Sequence, residues 1–225
     1  MFDQLKKNTV KATNQLKESE FVRFENPSGT GVRVMFVGNS ITLHGVNKDI
    51  GWDHEWGMAA SSKENDYVHL LMKKIKEYDN DAVFCICQVA IWESRYKNGT
   101  DVHNHFENAR DFHADLIIGR FIENCPAEDF DEACFRREFD AFIKYLNGNH
   151  GRVILTTGFW RHPGDEMIKE VAIDNGYLLA ELGDLGELDE MKAIGLFAHP
   201  GVAAHPGDRG MKAIAERIWE KMNLE

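Results

Sequence analysis

The sequence predicts an α/β protein, a three-layer α/β/α sandwich with a mostly parallel five-stranded sheet and a short N-terminal extension. Short apolar runs alternate along the chain with segments whose apolar residues recur at helical spacing. The apolar runs are continuous, which is typical of strands that helices cover on both faces. Strands that alternate with helices form parallel sheets through right-handed crossover connections.

Residues 1–30 are predicted to form an extension that precedes a single domain at 31–225. The first part is rich in lysine and predicts a polar helix, and the alternation in Phe21-Val22-Arg23-Phe24 is typical of a short strand. The segment from Asn26 to Gly31 contains Pro, Ser and Gly, which end regular structure.

The elements of the domain follow in order after residue 31. The apolar runs predict strands at 32–37, 82–87, 115–118, 153–157 and 177–179. A capping box, Ser61-x-x-Glu64, predicts the start of the first helix, whose apolar residues continue to Tyr78. Apolar spacing predicts further helices at 102–112, 135–146, 167–172 and 211–222, the second of them ending near Asn147-Gly148.

Composition excludes several classes of protein. The 225 residues are 43% hydrophobic and 28% charged, which is ordinary globular usage, and the net charge is −11. An acidic chain repels phosphate, so neither a nucleic acid nor an anionic membrane is expected as a partner. The N-terminus lacks the apolar core of a signal peptide and no window has 18 apolar residues, so we expect a cytoplasmic protein.

The cysteines are expected to be reduced and to serve as small buried hydrophobes. Cys85 and Cys87 would share one face of a strand, and Cys125 and Cys134 lie far along the chain. No second pair has zinc-ligand spacing, which disfavours a metal site. His103, His105 and His113 do not match a metal-binding helix either and are expected to be solvated. No metal or cofactor is therefore expected.

Ligands of open parallel sheets bind at the carboxyl ends of the strands. Five segments, rich in polar or aromatic side chains, are predicted to meet there: 38–42, 88–93, 120–124, 158–162 and 199–205. Ser40 at a strand-to-helix turn is either an N-cap or a nucleophile whose own N–H stabilises an oxyanion. His205 is either a general base or a surface histidine, and Asn124 is either an amide donor or an Asx-turn residue.

Together these segments resemble the SGNH hydrolase superfamily, the GDSL-like esterases. Gly38-Asn39-Ser40-Ile41-Thr42 matches the first block of that family, His205-Pro206 with Gly210 matches the last, and Asn124 matches the third in part. The stretch from Gly51 to Ser62 looks like a bacterial subgroup with uncharacterised substrates. The resemblance implies a flavodoxin-like sheet and an acyl-Ser40 intermediate. It also implies that His205 is the base, and that the Ser40 N–H and the Asn124 side chain form an oxyanion hole.

The sequence departs from the family at two blocks. Val202 stands where the family has the aspartate that orients the histidine, and Ile122 stands where it has a glycine. A backbone carbonyl, Glu93 or Glu123 could orient His205, whereas Asp208 is expected to cap the last helix. The segment 88–93 has no glycine, but a backbone N–H there can still donate a hydrogen bond.

The substrate is expected to be a small acyl ester, such as an acetyl ester of a carbohydrate. The residues expected to bind it are Asn39, Trp92, Glu93, Glu123 and Trp160. Trp52 and Trp56 are weaker candidates, because tryptophans near loops commonly close over a core. Arg120 and Arg161 could bind a carboxylate, although ion-pair or surface roles are favoured.

Two other functions stay open. The departures at Val202 and Ile122 would also fit a non-catalytic binding module on the same scaffold. A flavodoxin-like phosphate or flavin binder would use the Ser40 loop as an anion cradle. A nucleophile-elbow lipase and a dinucleotide-binding enzyme are disfavoured, because neither G-x-S-x-G nor G-x-G-x-x-G follows a strand.

Overall fold

A computed structural model describes residues 13–148 and 151–222 of the chain. Its sheet has six strands in the order β1-β3-β2-β4-β5-β6. The strands are β1 Val22–Glu25, β2 Arg33–Gly38, β3 Val83–Gln88, β4 Leu116–Arg120, β5 Arg152–Thr156 and β6 Leu178–Ala180. Strand β1 pairs antiparallel with β3, and all the other pairs are parallel. The predicted α/β fold class is confirmed.

Within residues 13–148 and 151–222, seven α-helices connect or flank the strands. They are α1 Tyr67–Lys76, α2 Ala90–Glu93, α3 Glu107–Asp111, α4 Glu132–Asn147, α5 Asp165–Asn175, α6 Pro200–Ala204 and α7 Asp208–Met222. A 3₁₀ run at Tyr96–Phe106 precedes α3, in the region where the sequence predicts one helix at 102–112. In the part of the chain that the structure describes, no helix is long and apolar enough to cross a membrane.

The sheet therefore has one strand more than predicted. The additional strand is the alternating segment at Phe21–Phe24, which the sequence assigns to the extension and which instead lengthens the sheet at its β3 edge. Its register places Val22 opposite Cys87 and Phe24 opposite Cys85. Most of the predicted N-terminal polar helix lies outside the described residues.

The three layers follow from the alternation of side chains along each strand. In β2, Val34 and Phe36 face the side that α1 and α7 cover, whereas Met35 and Val37 face the side that α4 and α5 cover. Every residue of β2 is buried, as the continuous apolar run predicts. The free thiols of Cys85 and Cys87 lie on the side of the sheet that α4 and α5 cover, and their sulfur atoms are 3.7 Å apart.

The topology places a crevice at the carboxyl end of β2. The chain continues from β2 to β3 on one side and then crosses to β4 on the other, and ligands bind at such a switch point. Gly38 ends β2 there, and a Cβ at this position would lie 1.9 Å from the Thr42 side-chain oxygen. The turn that carries Ser40 therefore depends on a glycine at position 38.

Helix α1 begins later than the capping box predicts. Its N-cap is Asp66, whose carboxylate accepts from the His69 N–H at 2.8 Å. Ser61 instead donates through its N–H and hydroxyl to Asp208, the first residue of α7, so it ties the two helices together. The predicted end of α4 is confirmed, because Gly148 is left-handed with φ 53° and its N–H donates to the Lys144 carbonyl.

His69 joins α1 to the edge strand β1 through two carboxylates. Its Nδ1 lies 2.8 Å from Asp66 and its Nε2 lies 3.1 Å from Glu25. Burial alone would lower the pKa of His69, but the hydrogen bonds to Asp66 and Glu25 raise it to about 9. The hydrogen bond from His69, despite burial, lowers the pKa of Glu25 to about 2.

We expect His69→Gln to lower the free energy of unfolding by about 2 kcal/mol at pH 6. Because the folded-state pKa is raised, the imidazolium stabilises the fold fully below pH 6.5 and progressively less as the pH rises towards 9. Urea unfolding of both proteins at pH 6 and pH 9.5 measures the difference. If His69→Gln lowers the free energy of unfolding equally at both pH values, the charge of His69 contributes nothing to stability.

Candidate active site

Ser40 and His205, which are 165 positions apart, meet at the carboxyl edge of the sheet. The Ser40 hydroxyl oxygen lies 2.8 Å from Nε2 of His205. Ser40 follows β2 by two residues, and His205 ends the short helix α6 just before α7 begins. At this distance the two groups form a hydrogen bond. A histidine that removes the proton of a serine nucleophile needs this arrangement.

A backbone carbonyl orients the imidazole. His205 Nδ1 lies 2.7 Å from the Gly201 carbonyl oxygen, which can only accept, so the ring proton is on Nδ1. Nε2 then carries the lone pair and accepts from the Ser40 hydroxyl. Of the alternatives that the sequence leaves open, the backbone carbonyl takes this place. Glu93 and Glu123 have other partners.

Val202 lies in a small apolar cluster above the site. We call this cluster the apolar cap; its buried members are Trp52, Met58, Ala59, Ala193 and Val202. The cap packs the loop that follows Ser40 against the segment that leads to His205. An aspartate at position 202 would bring an unpaired carboxylate into this cluster, which is costly. Apolar packing and one carbonyl thus replace the carboxylate that the family resemblance implies.

Burial controls the charge of the imidazole. It lowers the pKa of His205 to about 4, although the hydrogen bond to the Gly201 carbonyl and the charge of Glu123 act in the opposite direction. His205 is therefore neutral at neutral pH and can accept a proton. Burial also makes the imidazole a weak base. In addition, no carboxylate contacts Nδ1 to stabilise the imidazolium.

Three residues that line the cavity, Ser40, Ala90 and Asn124, carry N–H groups. Within the described part of the chain, the Ser40 N–H donates to no protein group. Asn124 lines the same cavity and donates one side-chain N–H to Glu93 at 2.5 Å, which leaves the other available. The Ala90 N–H, directly after β3, lies 3.1 Å from the side-chain oxygen of Gln88. The last two positions follow the strands on either side of β2.

A buried polar cluster supports these groups from below. We call Asn39, Glu93, Arg120 and Glu123 the polar cluster. Asn39 donates to Glu93 at 2.9 Å and to Glu123 at 2.5 Å, and its carbonyl accepts from Arg120 at 2.7 Å. Arg120 also forms an ion pair with Glu123 at 2.7 Å. Every polar atom of the Asn39 side chain is therefore bonded, which fixes the residue before Ser40.

The pKa values of the two carboxyl groups in the polar cluster are shifted in opposite directions. Burial and the neighbouring charge of Glu123 raise the pKa of Glu93 to about 7. Burial would also raise the pKa of Glu123, but Arg120 lowers it below its usual value through charge and hydrogen bonds.

Three of the residues predicted to bind substrate belong instead to the buried polar cluster. Asn39 and Glu93 are fully buried, and Glu123 is 9% exposed and bonded to Arg120 and to the Phe159 N–H. Their carboxylate and amide groups are occupied by one another, so they support the site from beneath. The ion-pair role favoured for Arg120 is the one observed.

Of the tryptophans considered as substrate contacts, one is buried in the core and another lies beside His205. The prediction that Trp92 contacts substrate is corrected, because the ring is fully buried and lies 5.0 Å from Phe142 in a stacked pair. Helix α2 turns its side chain into the core. Trp160 stays a candidate, because it is half-buried and its ring lies 5.6 Å from the imidazole of His205. Trp52 belongs to the apolar cap, and Trp56 packs against its edge.

The cavity beside Ser40 has a volume of about 250 Å³. Its lining includes Gln88 and His199, which belong to two of the segments predicted to meet at this edge, and also His44, Ile50 and Met58, which the sequence did not identify as site residues. None of the residues that line this cavity carries a carboxylate, an ammonium or a guanidinium group. His44 lies four residues after Ser40 in the sequence, and this proximity is the signal that could have identified it.

The other candidate ligand groups lie elsewhere. His103 is buried rather than solvated, and its ring packs at a tilt against the rings of Phe142 and Tyr145. Arg161 lines a separate cleft of about 380 Å³ and pairs with Glu187. Among residues 13–148 and 151–222, no three His, Cys, Asp or Glu side chains are placed to hold a metal ion.

Comparison by sequence finds no match, since neither a protein-family model nor a curated protein is similar to this chain. Comparison by structure finds esterases. The psychrotrophic esterase EstA from Pseudoalteromonas sp. superposes with a TM-score of 0.56 at 11% identity, over 85% of this chain and 97% of that one. A lipase/acylhydrolase from Enterococcus faecalis gives 0.56 at 14% identity, over 87% and 98%. A catalytic variant of an acetylxylan esterase from Geobacillus stearothermophilus gives 0.53 at 14% identity, over 88% and 96%.

The tautomer and the pKa of His205 can be measured directly. We expect Nδ1 to carry the ring proton, and the imidazole to stay neutral from pH 8 to about pH 5 and titrate near pH 4. Nuclear magnetic resonance of ¹⁵N-labelled histidines, with His205→Gln for assignment, gives both quantities. A midpoint near the ordinary value of about 6.5 would contradict the burial described here.

Proposed function

We propose that this chain, which has the fold of the SGNH or GDSL-like hydrolases, is a serine esterase that hydrolyses small acyl esters. The observation that carries the proposal is the chain of contacts from Ser40 through His205 to the Gly201 carbonyl, at 2.8 Å and 2.7 Å. The free N–H groups around Ser40 and the adjacent cavity supply what an acyl transfer also needs.

In the first half of the reaction, the Ser40 oxygen attacks the ester carbonyl carbon while its proton moves to Nε2 of His205. The carbonyl oxygen becomes an oxyanion, which accepts hydrogen bonds from the Ser40 N–H and the Asn124 side chain. The Ala90 N–H can join them when it leaves the Gln88 side chain. The intermediate then collapses, the C–O bond to the alcohol breaks, and the imidazolium gives its proton to the departing oxygen.

In the second half, water attacks the carbonyl carbon of acyl-Ser40. His205, neutral again, takes a proton from the water, and the second tetrahedral intermediate collapses to release the carboxylic acid. The Ser40 oxygen regains its proton from the imidazolium, so the enzyme returns to its starting state. The Gly201 carbonyl faces Nδ1–H throughout and keeps Nε2 directed at the reacting oxygen.

The lining of the cavity indicates the class of substrate. A volume of about 250 Å³ lies below the roughly 300–1,000 Å³ of pockets for drug-sized ligands, which favours a small acyl group such as acetyl. The polar side chains of His44, Gln88 and His199, in a lining without a carboxylate, ammonium or guanidinium group, favour a neutral, hydroxyl-bearing alcohol. A structural neighbour described as active on acetylated mannans, with a TM-score of 0.56 at 15% identity, supports an acetylated carbohydrate.

One observation favours a second candidate function, a binding module on the same scaffold. The imidazole has no carboxylate partner, and this would weaken catalysis while leaving the cavity intact. A phosphate or flavin binder is less well supported, because no lysine or arginine lines the cavity. The cytoplasmic location stays a prediction.

We expect the purified protein to hydrolyse p-nitrophenyl acetate, and Ser40→Ala and His205→Gln each to reduce kcat by at least about 10³-fold. Liberated p-nitrophenolate at pH 8 measures the rate, and circular dichroism confirms that the variants are folded. Equal rates for the wild-type protein and Ser40→Ala would contradict the esterase and favour the binding module.

Removing the side-chain donor of Asn124 should slow the chemical step. We expect Asn124→Ala to lower kcat by roughly 10²–10³-fold with little change in KM, because an oxyanion donor acts mainly in the transition state. Asn175→Ala is a matched control, since this asparagine ends α5 at the opposite edge of the sheet and bonds to Asp140. A KM effect without a kcat effect would place Asn124 in substrate binding instead.

A further inference from the structure

We propose that Glu93 is a positioning residue for ester hydrolysis, whose carboxylate decides which end of the Asn124 amide is presented to the oxyanion. The proposal rests on the proposed function, because it assigns a role within the same site. Glu93 itself is fully buried and touches no part of the cavity, so its effect is exerted through Asn124.

The contacts of Glu93 place it between the two loops that build the site. One oxygen accepts from Asn39 at 2.9 Å, directly before the nucleophile, and the other accepts from Asn124 at 2.5 Å. The loops after β2 and β4 are thereby joined through a single side chain from α2. No other described hydrogen bond restrains the Asn124 side chain, which is otherwise exposed.

The chemistry of the two groups explains why a carboxylate is needed. A side-chain amide has a donating nitrogen and an accepting oxygen of nearly the same size, and its partner determines which end faces which way. An ionised carboxylate only accepts, so it holds the nitrogen end of Asn124 and leaves one N–H directed elsewhere. A partner that donates would turn the amide and present a carbonyl oxygen to the oxyanion, which is repulsive.

The electrostatics indicate that this role is more than packing. Arg120 is the cation of the polar cluster, and its hydrogen bonds go to Glu123 and Asn39, so Glu93 has no direct cationic partner. A buried carboxylate that lacks a cation destabilises a fold, and such groups are concentrated at functional sites. Two amide donors compensate it in part.

The charge of Glu93 gives the proposal a pH signature. The charged groups that face it are Glu123 and Arg120, and the Cys125 thiol that donates to its backbone carbonyl is neutral because burial raises its pKa. Glu93 has a pKa of about 7, so it accepts from Asn124 above that pH and gains a donating O–H below it. His205 titrates only near pH 4 and does not account for a loss of activity at pH 7.

A double-mutant cycle tests the proposal with p-nitrophenyl acetate. We expect Glu93→Gln to lower kcat by roughly 10²-fold with little change in KM, since it would remove one oriented oxyanion donor. In the Asn124→Ala background the same substitution should change kcat by less than about 3-fold, because its effect passes through Asn124. Asp115→Asn, the same acid-to-amide change in a buried carboxyl at the opposite edge of the sheet, should leave kcat unchanged.

The pH profile provides a readout that does not depend on the folding of Glu93→Gln. We expect kcat of the wild-type protein to fall below about pH 7 and this limb to be absent in Asn124→Ala. Losses that multiply in the double variant, or an acid limb that persists in Asn124→Ala, would overturn the positioning role. Activity that is independent of Ser40 would instead overturn the proposed function, so the two failures are distinguishable.

Discussion

The hydrogen bond between the Ser40 hydroxyl and the His205 imidazole is the constraint on which the rest of the site depends. It joins a turn after the second strand to a turn before the last helix, at 2.8 Å. Two features bring these turns together. The sheet topology opens a crevice at the end of β2, and the apolar cap packs the loop after Ser40 against the segment before His205.

The imidazole of His205 is oriented by a backbone carbonyl, and not by the carboxylate of a Ser-His-Asp triad. A carboxylate behind the ring would raise its basicity and stabilise the imidazolium during acyl transfer. Here the Gly201 carbonyl provides direction without charge, and burial lowers the pKa of the imidazole. Negative charge is instead concentrated in the polar cluster beneath Ser40, where Glu93 and Glu123 share Asn39 and Arg120 supplies the positive charge. The group that orients the His205 imidazole is therefore uncharged, and the charged side chains lie in the polar cluster instead.

Most of the fold could be predicted because its signals are local. The apolar runs mark the five parallel strands, and the spacing of apolar residues marks α4 and α7. Strand β1 could not be placed in the sheet, since the pairing of a four-residue edge strand is decided by β3, far along the chain. Helix α1 does not begin at the predicted capping box, because the Ser61 hydroxyl donates a hydrogen bond to Asp208 of the last helix instead of capping α1.

The candidate site was predictable where sequence order reflects sheet topology. Ser40, Asn124 and Gln88 follow strands, so their approach to one edge follows from the parallel sheet. Whether a side chain points to the cavity or to the core is a property of local backbone direction, and Trp92 and Glu93 turn inward on α2 for that reason. Likewise, the sequence shows that Val202 is not an aspartate, but not that a carbonyl one residue earlier takes its place.

Covalent labelling tests the central claim, that His205 activates the Ser40 hydroxyl, most directly. A fluorophosphonate, which reacts with activated serines, is added at pH 8 to the wild-type protein and to His205→Gln. Intact-mass and peptide spectrometry then locate the adduct. We expect one adduct on Ser40 in the wild-type protein and a labelling rate at least about 10²-fold lower in His205→Gln. An adduct on another residue, or equal rates in both proteins, would contradict it.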